Sequence, residues 1–152
     1  MSDCLDSWAV LAWLDGDEPA AGLVQHALDQ GRPSLSWINL IEVVINLIEV
    51  EYRVRCEHGA SEAADVVARV RQLVAEDLPG VNRMRSVAAL KADHPIARAD
   101  CFAIATAAAN DAILITGDPE ILDRAERLPC QVADARRGAR SCPPGGPLSS
   151  CG

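Results

Sequence analysis

The chain alternates short apolar runs with longer stretches in which apolar residues recur every three to four positions. The short runs predict strands, and the longer periodic stretches predict helices. The predicted strands are residues 2–5, 34–37, 112–116 and 131–133. The predicted helices are one capped by Ser7 and ended by Gly16, then 17–30, 38–57, one opening at Ser61, 85–91, 97–110 and 119–127. This alternation predicts an α/β fold, an α/β/α sandwich around a short, mostly parallel central sheet.

Composition sets the domain boundaries and the kind of core. Residues 138–152 are rich in Pro, Gly, Ser and Cys and can bury little, so we expect one domain over residues 1–137 followed by a disordered tail. A hydrophobic content of 49% is sufficient for a real core. Because aromatic residues make up only 3% of the chain, that core must consist mostly of Ala, Val, Leu and Ile.

Charge and cysteine content restrict the partners and the compartment. A net charge of −8 disfavours non-specific binding to nucleic acid, because affinity for phosphates comes mainly from Lys and Arg. A nuclease is not excluded, since a bound metal ion reverses the field at an acidic site. No apolar run reaches membrane-spanning length and the start has no features of a secretion signal. The six cysteines form no Cys-x-x-Cys pair, which predicts reduced thiols in a cytoplasmic protein, with neither disulfides nor zinc.

Four acidic residues stand where a predicted strand ends or a predicted helix begins: Asp6, Glu42, Asp100 and Asp118. Divalent cations such as Mg²⁺ prefer oxygen ligands and are held by a few carboxylates together with water and substrate phosphate. Taken singly, Asp6 and Asp118 are equally well explained as helix N-caps. Asp100 lies in an otherwise apolar helix, where a buried carboxylate is rare unless it is paired or bound to metal. As an ordered set, the four residues favour metal-dependent phosphodiester chemistry.

The string Ile-Asn-Leu-Ile-Glu-Val occurs twice, at 38–43 and at 45–50. Seven residues are nearly two helical turns, so the second copy falls on almost the same helix face, rotated by about 20°. Six identical residues indicate a tandem duplication, since helical periodicity alone does not require identity. Compared with a helix that has one copy of the string, Glu42 lies at the same distance from the preceding strand, whereas Glu49 lies at the same distance from the following helix. The two glutamates therefore compete for one metal-facing position. We expect Glu42 to occupy it.

The strings around the four acids resemble the motifs of PIN-domain ribonucleases, specifically the VapC-type toxins of bacterial toxin–antitoxin pairs. The matching strings are LDSWAVLAWL (5–14), SWINLIEV (36–43), HPIARADCFA (94–103) and LITGDPE (114–120). Their order and spacing agree with the family pattern, and the resemblance covers residues 4–137. Each motif alone is common, and the specificity comes from finding four of them in order.

The resemblance implies a site, a reaction and partners. The implied ligands of Mg²⁺ or Mn²⁺ are Asp6, Glu42, Asp100 and Asp118, with Ser7 and Thr116 as supporting hydroxyls. The family fold gathers such acids at the carboxyl ends of a parallel sheet, where open α/β sheets bind their ligands. The implied reaction is hydrolysis within an RNA strand, tRNA or rRNA, in which the metal activates water and offsets the charge of the transition state. The implied protein partners are a cognate antitoxin and a second copy of the chain.

Two other functions remain open from the sequence. The duplication could displace the glutamate and leave a catalytically impaired PIN-like protein that only binds partners. Alternatively, Gly117-Asp118 followed by Asp123 resembles the last acidic motif of haloacid-dehalogenase-like phosphatases. Those enzymes need an early Asp-x-Asp motif, whereas residues 6–8 here are Asp-Ser-Trp.

Overall fold

The computed structural model describes the backbone of residues 1–58 and 63–138 and the side chains of residues 1–48 and 64–138. The strands in this part are β1 (Ser2–Leu5), β2 (Ser34–Ser36), β3 (Ala75–Asp77), β4 (Ala112–Thr116) and β5 (Val132–Asp134). The α-helices are α1 (Ser7–Asp15), α2 (Ala20–Gln30), α3 (Trp37–His58), α4 (Ala63–Leu73), α5 (Val81–Asp93), α6 (Arg98–Ala109) and α7 (Pro119–Leu122). Short 3₁₀ turns lie at Ala125–Arg127 and Ala135–Arg137.

The five strands form one sheet in the order β3-β2-β1-β4-β5, and every pairing is parallel. Helices cover the sheet, so the predicted α/β/α sandwich is confirmed. All carboxyl ends of parallel strands meet at one edge of the sheet. The register pairs Leu5 of β1 with Ile115 of β4. The next residues along these strands, Asp6 and Thr116, therefore lie side by side at that edge.

The core lies in two layers, one on each face of the sheet. Successive strand residues point to opposite faces, so Leu5 and Ile115 enter one cluster while Cys4 and Leu114 enter the other. Most of the buried residues are Ala, Val, Leu and Ile, as the composition predicted. Among the described residues, Cys4, Cys101 and Cys130 are free thiols.

Helix α1 begins and ends at residues whose chemistry fits the position. The sequence prediction that Ser7 is the N-cap is wrong, because Asp6 is the cap and accepts a hydrogen bond from the Ala9 N–H. Gly16 ends the helix as predicted, with a φ of 72° in the left-handed region that glycine enters without strain. Ser7 is thereby freed for another contact.

Several boundaries differ from the sequence prediction. Strand β3 was not predicted, because Ala-Glu-Asp is short and polar and sits at the edge of the sheet. Helix α5 is longer than residues 85–91, and helix α7 ends at Leu122, well before residue 127. The predicted helix opening at Ser61 and residues 139–152 of the predicted disordered tail lie outside the described residues.

Edge strand β3 is joined to two helices by a partly buried polar network. Arg83 of α5 contacts the carboxylate of Asp77 at the end of β3 and donates to the Thr106 hydroxyl of α6 at 2.7 Å. The Thr106 hydroxyl donates in turn to the same Asp77 carboxylate at 2.9 Å. Each polar group therefore has a partner, which offsets the cost of burying it.

The duplicated heptad lies within one helix, α3, which runs from Trp37 to His58. The first copy faces the core: Asn39 is fully buried and Leu40 is 5% exposed. In the second copy the equivalent Asn46 is exposed. Leu47 of the second copy still packs against the core, whereas Ile45 and Ile48 are exposed. None of the described helices has the length and apolar character needed to cross a membrane.

Candidate active site

Asp6 is the most deeply buried of the four acids, with 1% of its surface exposed. It follows β1 directly, and its Oδ1 accepts the Ala9 N–H at 2.8 Å. Its Oδ2 accepts a hydrogen bond from the Thr116 hydroxyl, whose oxygen accepts the Asp118 N–H at 3.0 Å. Asp6 is therefore an N-cap, as one interpretation had it, and it is also bound to the end of β4.

Asp118 is held by a short turn after β4. Its Oδ1 accepts the Glu120 N–H at 2.7 Å and so caps α7, whose first residue is Pro119. The preceding residue, Gly117, lies directly against the Trp8 ring: a Cβ on Gly117 would be 2.2 Å from the nearest ring carbon. The turn that carries Asp118 is thus packed onto α1, the helix that Asp6 caps.

Glu42 reaches the same region from α3. Its Oε2 accepts a hydrogen bond from the Ser7 hydroxyl at 2.5 Å. The predicted supporting hydroxyls, Ser7 and Thr116, thus each contact one of the predicted acids. Glu49 is also in α3, but its side chain lies outside the described residues. Among the described side chains, the glutamate of the first heptad copy contacts the start of α1, next to the end of β1.

Asn39 was missed in the sequence analysis. It lies one helical turn before Glu42 and is fully buried, with its Nδ2 donating to the Ala99 carbonyl at 3.3 Å. The same Nδ2 lies 3.5 Å from Glu42 Oε2. The available signal was a polar residue on the buried face of an amphipathic helix, three positions before the candidate glutamate.

Asp100 lies in the first turn of α6 and is 8% exposed. Burial, followed by the negative charges of Asp118 and Glu42, raises its pKa from 3.8 to about 7. Burial likewise raises the pKa of Asp6 to about 7, against the hydrogen bonds from Thr116 and Ala9, and the charges of Asp100 and Asp118 add to the rise. Asp100 is thus close enough to interact electrostatically with Asp6, Glu42 and Asp118.

A sequence model of the PIN domain family matches residues 4–128. The chain belongs to the PIN domain family. PIN domains are generally nucleases, so membership supports a hydrolase that acts on nucleic acid. No curated protein matches the chain by sequence.

Solved structures share the fold of this PIN domain. A toxin–antitoxin complex from Klebsiella pneumoniae superposes with a TM-score of 0.64 at 17% identity, over 88% of this chain and 98% of that one. VapBC2 from Rickettsia felis, bound to a DNA fragment from its promoter, gives 0.60 at 14% identity, over 88% and 98%. VapBC-1 from nontypeable Haemophilus influenzae gives 0.60 at 19% identity, over 89% and 98%. At these identities the likeness establishes the fold.

The donor chemistry of the four acids suits a hard divalent cation, because every candidate ligand is a carboxylate oxygen. PIN nucleases typically use such metals. In the described part of the chain, no three His, Cys, Asp or Glu side chains form a group that could hold an ion as they stand. Mutual repulsion of the carboxylates opposes their approach in the absence of positive charge, and the raised pKa values of Asp6 and Asp100 report that repulsion together with burial.

The metal-free PIN domain is expected to lose stability as the pH rises from about 4 to about 7. Asp6 and Asp100 have pKa values of about 7 in the folded chain against 3.8 for the unperturbed group. Between these values the folded state binds more protons than the unfolded state, so the free energy of unfolding falls with rising pH. Urea denaturation in EDTA at pH 5 and pH 8 measures the difference, which should shrink in Asp6→Asn. A domain that is more stable at pH 8 would contradict the raised pKa values.

Proposed function

We propose that this PIN domain is a Mg²⁺- or Mn²⁺-dependent endoribonuclease, the toxin of a toxin–antitoxin pair, whose substrate is tRNA or rRNA in the cytoplasm. The observation that carries the proposal is the linkage of the acids near the carboxyl edge of the sheet. Thr116 joins Asp6 to the backbone of Asp118, and Asp100 interacts electrostatically with Asp6, Glu42 and Asp118. Burial and mutual charge raise the pKa of two of them, Asp6 and Asp100. Such perturbation is typical of functional sites.

The proposed ligands are Asp6, Glu42, Asp100 and Asp118. A bound divalent cation would supply activation of water and compensation of charge at the phosphate. The chain's own contribution is to orient the carboxylates. Thr116 and the Ala9 N–H fix Asp6, Ser7 engages one oxygen of Glu42, and the Glu120 N–H engages one oxygen of Asp118. No hydrogen bond among the described residues engages the second oxygen of Glu42 or of Asp118, which leaves each able to face a cation.

The alternatives fit the structure less well. A displaced glutamate would require the first heptad copy to unwind, but α3 is helical from Trp37 onward and Glu42 contacts Ser7. That geometry favours a working site over a protein that only binds partners. Membership of the PIN family argues against a haloacid-dehalogenase-like phosphatase, which rested on Gly117-Asp118 followed by Asp123.

An apolar surface on α3 supports a protein partner. Trp37, Ile41, Ile45 and Ile48 are spaced by three or four residues, and so lie along one side of the helix. They are 39%, 39%, 51% and 54% exposed. Exposed apolar surface of this kind marks interaction sites. We propose that an antitoxin covers it, because the similar solved structures are described as toxin–antitoxin complexes, and that a second copy of the chain can also associate with the domain.

Glu42→Gln is expected to lower RNA cleavage by roughly 100-fold or more, because it removes a charged oxygen donor from the site. Glu49→Gln, the same substitution one heptad later, should leave cleavage unchanged. The two variants are compared with the wild type on a mixed tRNA and rRNA pool in Mn²⁺. Loss of cleavage in Glu49→Gln alone would assign the ligand to the second copy. Full activity in both variants would remove the glutamate from the proposed site.

A further inference from the structure

Asn39 occupies a position that packing alone does not explain. It is fully buried, yet an amide in an apolar environment costs free energy unless its polar atoms are paired. Its Oδ1 has no hydrogen-bond partner among the described residues. Leaving a buried acceptor without a partner costs free energy. An aliphatic residue of similar volume would avoid that cost, so the benefit of the amide must come from its Nδ2.

The Nδ2 group lies between the elements that carry two of the four acids. It donates to the carbonyl of Ala99, the residue immediately before Asp100 in α6, and lies 3.5 Å from Oε2 of Glu42 in its own helix. Both neighbours are acceptors, so the donor end of the amide must face them. The Ser7 hydroxyl, at the start of α1, donates to the same Oε2.

We propose that Asn39 is a positioning residue for the metal site: its amide links α3 to the backbone beside Asp100 and, with Ser7, selects which oxygen of Glu42 remains free. This inference rests on the proposed function. Asn39 itself is not placed among the ligands, and it acts through Glu42. Removing it should therefore weaken cation binding in proportion to what Glu42 contributes.

The duplication supplies a matched control in the same helix. Asn46 is the equivalent residue of the second heptad copy, is exposed, and donates to the backbone carbonyl of Glu42 at 2.8 Å. Asn39→Leu and Asn46→Leu make the same chemical change at the two positions. Only the first removes a contact between the acid-bearing elements.

The test is Mn²⁺ binding, measured by the electron paramagnetic resonance signal of free Mn²⁺ in the absence of RNA. Asn39→Leu should raise the Kd by about tenfold, the lower end of the range for residues that orient metal ligands. Asn46→Leu should not change it. In a Glu42→Gln background, Asn39→Leu should change the Kd by less than about twofold, because residues that act through one another are not additive. A general structural role would instead give the same loss in both backgrounds.

The outcomes separate the inference from the function on which it rests. Wild-type protein that binds no Mn²⁺ would overturn the proposed metal-dependent nuclease, and the inference with it. Wild-type protein that binds Mn²⁺ with a Kd unchanged by Asn39→Leu would overturn the inference alone, as would an equal loss with and without Glu42. Should Asn39→Leu fail to fold, shown by circular dichroism, Asn39→Ser replaces it, because the serine hydroxyl is too short to span both acceptors.

Discussion

Asp6→Asn is expected to lower metal-dependent RNA cleavage by roughly 10³-fold, the upper range for removing one electrostatic contact from a catalytic site. Asp6 is buried directly after the middle strand of the sheet, and the Thr116 hydroxyl joins it to the backbone of Asp118. An amide carries no charge to hold a cation there. It retains the Oδ1 that accepts the Ala9 N–H, so α1 should keep its cap. Single-turnover cleavage of labelled RNA in Mn²⁺ measures the loss.

Asp134→Asn is the matched control for this substitution. Asp134 also stands at the carboxyl end of a parallel strand, and it accepts the Arg136 N–H at 3.0 Å as the cap of a 3₁₀ turn. It faces Arg136, which lowers its pKa, and is not one of the mutually repelling acids. Cleavage should survive in Asp134→Asn. Equal losses in both variants would mean that Asp6 acts only as a cap.

Gly117→Ala is expected to destabilise the domain by about 3 kcal/mol, the upper part of the range for overpacking a close contact. The added Cβ would lie 2.2–2.4 Å from three carbons of the Trp8 ring, so the ring or the Thr-Gly-Asp turn must move. Movement of the turn would displace Asp118, and a displacement of about 1 Å can cost 10²-fold in rate. Urea denaturation gives the stability, and the cleavage assay gives the rate.

Gly31→Ala serves as the control, since no atom lies within 4 Å of a Cβ at that position. It should change stability by less than about 0.5 kcal/mol, as surface substitutions usually do. The smaller side chain in Trp8→Leu should relieve the clash, so Gly117→Ala should cost less in that background. An identical cost in both backgrounds would show that the Trp8 contact does not limit this position.

The sequence was sufficient to predict the architecture because its signals are local. Alternation of apolar strands with periodic helices led to the parallel sheet, and breakers such as Gly16 marked helix ends. Edge strand β3 was missed because it is three residues long and polar, and because its pairing partner β2 lies far back in the sequence, with Ser34 opposite Ala75. Its contact with Thr106 is also long-range. Helix α7 was predicted too long because periodicity does not reveal where a 3₁₀ turn replaces the α-helix.

In the candidate site, too, residues marked by local motifs were predicted, whereas residues defined by long-range contacts were not. The motifs marked candidates at element ends: Asp6 and Asp118 follow strands, Thr116 ends one, and Ser7 and Asp100 lie in the first turn of a helix. Glu42 lies in the second turn of α3. Asn39 was not predicted, since its contact with Ala99 joins residues sixty positions apart. The Trp8–Gly117 contact has the same long-range character. The contact of Glu42 with Ser7 depends on how α3 packs against α1, which the repeat itself leaves undecided.

The most direct test of the central claim is cleavage of end-labelled tRNA and rRNA by the purified chain, in Mg²⁺ or Mn²⁺ and in EDTA, beside Asp100→Asn. We predict cleavage only with the divalent cation and its loss in Asp100→Asn. The products should lack the 2′,3′-cyclic phosphate that attack by the RNA's own 2′-hydroxyl would leave, because the proposed nucleophile is water. No cleavage by folded wild-type protein with either metal, or equal cleavage in EDTA, would contradict a metal-dependent nuclease built on these four carboxylates.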